Sequence, residues 1–285
     1  MEAKTPYYPP VEILLHHNSD PFILAEDPLP NYVQELGLTP ADIPELARLA
    51  ADAQFDNDPD DELKTLAPLR AAHALGQIAS EAPVEAIRAL ISLFDQEARW
   101  YEEELIDIFT RVGPTATDYL IAYLNNETKP DLSRMYVQDC LSEIAQAYPE
   151  TSDRFQRELV ACLEKFEQNP PLLNGSIIAE LIALEAVETA PLMEAAYQAE
   201  RVDLNITGPW AAVQVDLGLK QKSDFRPEEL EIPRHLRLEL FQERFTTDLF
   251  NVLDNSAVAS ARPPVKGFGE TLPSKKSKKK SKKKK

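Results

Sequence analysis

Four times between residues 68 and 197 the chain runs through an amphipathic helical stretch, a proline-marked break and a second such stretch. In the first unit Leu69, Ala72, Leu75 and Ala79 form one stripe, Ala82-Pro83 breaks it, and Val84, Ile87, Leu90, Ile91 and Phe94 form the next. Apolar residues three and four apart line one side of a 3.6-residue helix. The pattern resets at Leu105, Ile108, Phe109 and Val112, breaks at Gly113-Pro114, and continues through Leu120, Tyr123 and Leu124. It resets through Val137, Leu141 and Ile144 before Pro149, then runs on through Phe155, Leu159, Cys162 and Leu163. A last unit uses Ile177, Ile178, Leu181 and Leu184, breaks before Pro191, and ends on Leu192, Met193, Ala196 and Tyr197. Leu75, Leu105, Leu141 and Leu181 are spaced by 30, 36 and 40 residues, and the four prolines by 31, 35 and 42. A drifting period of two helices per unit predicts an all-α fold, an α-solenoid of stacked helical hairpins. Proline stops the first helix and suits the opening position of the second.

Composition agrees with short helices. The chain has only 8 Gly but 23 Pro, too many for a few long helices. Four segments are expected: an N-terminal cap over 1–38, the repeats over 39–219, a helical extension over 220–254 and a disordered lysine-rich tail over 255–285. Thr39-Pro40-Ala41-Asp42 reads as a helix start, leading into Ile43, Leu46, Leu49 and Ala50. Leu236, Leu240, Phe241, Phe245, Leu249 and Val252 mark one more amphipathic helix.

The net charge of −18 hides a division. Nine of the last twelve residues are lysine (Lys275, Lys276, Lys278, Lys279, Lys280, Lys282, Lys283, Lys284 and Lys285), so setting those nine charges aside leaves −27 over residues 1–273. Such a body repels nucleic acid and anionic membrane, whereas the tail attracts polyanions without regard to sequence. Three readings of the tail stay open: a contact to RNA, the ribosome or another acidic surface, a fold-back onto the acidic body, or no specific role. The two cysteines, Cys140 and Cys162, form no CxxC pair, the N-terminus does not read as a signal peptide, and no apolar run is long enough to span a bilayer. A cytoplasmic protein is expected.

Searching for chemistry yields little. The Walker A, dinucleotide-binding, HExxH and GxSxG patterns are all missing. An EF-hand beginning at Asp56 would require Gly at 61 and Glu at 67, where the chain has Asp61 and Ala67. No catalytic residue, cofactor or metal is expected. Aromatic and acidic side chains are the candidates for gripping a partner protein: Trp100, Tyr101, Glu102, Glu103, Tyr197 and Trp210.

Arg70-Ala-Ala-His-Ala-Leu-Gly-Gln-Ile resembles the first helix of HEAT-like repeats of the phycobilin-lyase type. Leu36-Gly-Leu-Thr-Pro-Ala-Asp-Ile-Pro-Glu-Leu, Arg201-Val-Asp-Leu-Asn-Ile-Thr-Gly-Pro-Trp and the lysine-rich end are similar to an uncharacterised bacterial, often cyanobacterial, family of such proteins. The resemblance implies a HEAT-like fold and imports no established activity. The expected function is a non-enzymatic scaffold that binds a protein on the repeat surface. The alternatives are an RNA- or ribosome-associated protein acting through the tail, and a lyase-like or chaperone-like factor.

Overall fold

A computed structural model of the chain describes residues 6–22, 29–55, 62–96 and 102–233. Trp100, Tyr101, the acidic run Asp56–Asp61, the expected helix from Leu236 and all nine tail lysines lie outside the described residues. The unit spanning Met1–Ile232 is all-helical, and no strand occurs among its described residues.

An entry region comes first, with a 3₁₀ turn over Val11–Leu15 and the short α1 (Tyr32–Leu36). The Asn31 side chain caps α1 by accepting from the Gln34 N–H at 3.1 Å, and Gly37 ends it in the left-handed conformation. A 3₁₀ turn at Pro40–Asp42 leads into α2 (Ile43–Ala50), where the Asp42 carboxylate accepts from the Thr39 N–H at 2.8 Å. After the four-residue α3 (Glu62–Thr65), helix pairs follow in order: α4 (Ala67–Ile78) with α5 (Pro83–Ile91), α6 (Glu102–Val112) with α7 (Thr117–Leu124), α8 (Asp131–Ala147) with α9 (Ser152–Leu163), and α10 (Pro171–Ala183) with α11 (Ala190–Gln198). Two short helices, α12 (Leu204–Thr207) and α13 (Trp210–Asp216), complete the series.

Each expected break is a turn between the helices of one pair. Pro83 opens α5, Pro114 and Pro149 sit in 3₁₀ turns ahead of α7 and α9, and Pro191 lies in the first turn of α11. Proline needs no N–H partner there, because the first turn of a helix lacks acceptors for its amides. Gly113 turns the chain with φ near +72°, and a Cβ at that position would meet the Tyr148 ring at 2.9 Å. Glycine satisfies both demands.

First helices pack on first helices, α2 on α4, α4 on α6, α6 on α8 and α8 on α10, so the core runs on from pair to pair. The sequence stripe on α4 captures only part of this. The helix is buried on all sides from Ala67 to Leu75, Arg70 and His73 included, because its alanines let α2, α5 and α6 approach from several directions. Buried polar side chains then fasten loops to the stack. Arg70 donates to the carbonyls of Leu14, Ser19 and Leu63, Arg134 to Leu124, and Asn174 to Phe166 and Arg201. In each case the side chain satisfies a buried or partly buried backbone acceptor that has lost some or all of its access to water.

Candidate partner-binding site

Neighbouring second helices are laced together at α7 and α9. Arg154 pairs with Asp118, and the Asn125 side-chain amide donates to Glu158 at 3.2 Å. Between α9 and the turn that leads into α11, the Gln156 amide donates to Glu188 at 2.6 Å. A cleft of about 780 Å³ opens there. Half-buried Val160 and Leu192 with exposed Ala161 and Pro191 supply an apolar floor, and Asp153, Arg157, Glu164 and Glu188 supply a rim with three acids to one base. An apolar floor inside a charged rim suits a peptide with apolar anchors and basic flanks.

None of the described sequence candidates is among the residues that line this cleft. Glu102 opens α6, and Glu103 is exposed in its first turn. Tyr197 and Trp210 are brought together, half-buried, with ring centroids 5.4 Å apart. The Tyr197 hydroxyl is engaged internally, 2.5 Å from the Thr207 hydroxyl and donating to the Gly208 carbonyl at 3.0 Å. Burial pushes that phenol up to about 12. The pair fastens α11 to the segment leading into α13. The cleft did leave a sequence trace: Val160 and Ala161 are apolar positions outside the buried α9 stripe of Phe155, Leu159, Cys162 and Leu163.

A second electrostatic feature lies between α8 and α10. Burial, then the nearby charges of Glu180 and Glu143, push the Asp139 carboxyl up to about 6. The Glu180 carboxyl is also raised by burial, although the Ser142 hydroxyl donates to it at 2.7 Å and opposes the shift. Asp139 holds its proton more tightly in the folded chain, so its penalty is absent below the unfolded value of 3.8 and grows as pH rises to about 6. Asp139→Asn should therefore stabilise the protein at neutral pH by on the order of 1 kcal/mol, a figure reduced for solvent screening, and the gain should vanish in acid. Urea midpoints of both proteins, compared at neutral pH and near pH 4, check this.

Among the described residues there is no cluster of His, Cys, Asp and Glu suited to holding a metal, and no helix is long and apolar enough to cross a membrane. Cys140 and Cys162 are buried free thiols, both raised by burial. Comparison with protein-family models, curated proteins and solved structures finds no match.

Proposed function

We propose that the chain is a HEAT-like α-solenoid acting as a non-enzymatic adaptor, which holds a partner protein in the cleft between α9 and α11. The open, apolar-floored cleft is the observation that carries the reading. The packing of successive first helices on one another supports it, since a stack of this kind offers a pre-ordered surface that loses little entropy on binding. The acidic rim selects partners with basic flanks, and the nine-lysine tail provides a separate hold on RNA or another polyanion. A protein acting chiefly through that tail is the second reading, favoured by its charge.

Affinity capture with three proteins separates the two: the intact chain, a chain ending at Pro273, and a full-length Ala161→Arg/Leu192→Asp variant. Under the adaptor reading, a partner is retained by the shortened chain and bound at least about tenfold more weakly by the cleft variant, whose thermal midpoint stays close to the parent's. Partners that all depart with the tail favour the second reading. Undiminished capture by the cleft variant refutes the first.

A further inference from the structure

A smaller cavity, of about 390 Å³, lies between α4 and α6 and shares no lining residue with the α9–α11 cleft. Its walls are two matching helical stripes. His73, Gly76 and Gln77 face it from α4, and Ile108, Arg111 and Val112 from α6, each set at the i, i+3, i+4 spacing that places side chains on one face. Gly76 brings the helices close, since a Cβ there would meet the Ile108 Cγ2 at 2.8 Å. The volume falls within the range of small-molecule pockets.

His73 gives the cavity its chemistry. The residue is 2% exposed, and its Nε2 has no hydrogen-bond partner. The ring bonds to the Pro21 carbonyl, which assigns the proton to Nδ1 and leaves Nε2 as a bare acceptor. Burial above all, with the charge of Arg111 adding to it, pushes the imidazole down to about 4, so it stays neutral in ordinary buffer. Leaving such an acceptor unpaired costs about 1–3 kcal/mol. Gln77 does not relieve it: its amide is engaged with the entry region, donating to the Pro30 carbonyl at 2.8 Å and accepting from the Val33 N–H at 3.4 Å. At the other wall Arg111 is half-exposed, and Asp107 engages its Nε. The Nη edge of the guanidinium therefore remains available to a second carboxylate.

We infer that the α4–α6 cavity binds a small organic acid that carries a hydroxyl or N–H donor, the donor going to His73 Nε2 and the carboxylate to Arg111. Ile108 and Val112 cover the apolar body between the two ends.

The test uses 4-hydroxyphenylacetate against phenylacetate, which differs only in lacking the donor, by calorimetric titration of the full chain. The hydroxy acid should bind about tenfold more tightly, the worth of one well-made hydrogen bond in a dry site. That advantage should disappear in His73→Phe, while Arg111→Leu should weaken both acids alike. In the unaltered protein, the ¹⁵N resonance of His73 Nε2 should move with the hydroxy acid and stay in place with phenylacetate, a readout that does not depend on the variants folding. Equal affinity for the two acids, an unmoved His73 resonance, or no saturable binding below roughly 10 mM would each overturn the assignment and leave a cavity filled by solvent.

Discussion

Arg70→Met should loosen the entry region from the rest of the protein and cost about 3–5 kcal/mol. Arg70 is fully buried, and among the described residues no carboxylate forms an ion pair with it, although the charge of Asp20 acts on it from nearby. Its guanidinium instead gathers three carbonyls, one from the short helix just before α4 and two from the entry region: Leu63 at 2.7 Å, Leu14 at 3.3 Å, and Ser19 through both Nε at 3.1 Å and Nη2 at 2.7 Å. Methionine matches the length of the arginine stem and fills much of the space, so the loss comes chiefly from orphaned acceptors. Each buried carbonyl without a donor costs about 1–3 kcal/mol, offset in part by no longer desolvating a cation. Burial lowers the Arg70 pKa, as that desolvation requires, yet a guanidinium remains charged throughout the working pH range. The segment over residues 11–19 should exchange its amide protons much faster, while α8 and α10 keep their protection. Urea unfolding with hydrogen exchange checks both parts. A loss below about 1 kcal/mol, with exchange over 11–19 unchanged, would show that these bonds hold nothing together.

Phe109→Ala should cost a similar amount, about 3–5 kcal/mol, for a different reason. Phe109 on α6 is fully buried and stacks on Phe94, with centroids 5.8 Å apart and planes at 16°. Phe94 also meets Tyr123 of α7 at 6.0 Å, and its carbonyl accepts from the Ser133 hydroxyl of α8 at 2.7 Å. Around this cluster Lys129 and the Tyr123 hydroxyl both bond to Asp95. The ring thus joins elements from three successive helix pairs, none of which can move inward without breaking bonds to the others. The resulting void cannot collapse, and a rigid void adds its own cost to the lost transfer energy. Phe109→Leu keeps most of the volume and should cost about 1–2 kcal/mol. Urea unfolding of the two variants gives the comparison, and equal losses would mean that stacking and packing at this point are unimportant.

Much of the secondary structure was readable along the chain, for reasons visible at particular residues. Asn31 and Gly37 bound α1 as a cap and a left-handed terminator. Pro83 opens α5, where its missing N–H costs nothing. The leucines and isoleucines of α5, α6 and α9 recur at helical spacing because each helix has one face to bury. These signals reach a handful of residues, and short-range physics is enough to decide them.

The candidate sites were far less legible. Nothing local shows that Tyr197 and Trp210 meet; tertiary packing sets them against each other and turns the Tyr197 hydroxyl to the Gly208 carbonyl. Arg70 and His73 read as members of a repeat motif. Only the arrival of residues 14–21 against α4 makes one of them a clasp and leaves the other, on the wall of a cavity, with an unpartnered nitrogen. The α9–α11 cleft depends on how far apart two helices settle, and no residue of either one encodes that separation alone. Helix positions follow from neighbours along the chain, whereas clefts and unpaired groups follow from where segments dozens of residues apart come to rest. That placement is decided by the mutual fit of whole surfaces, which no local pattern carries.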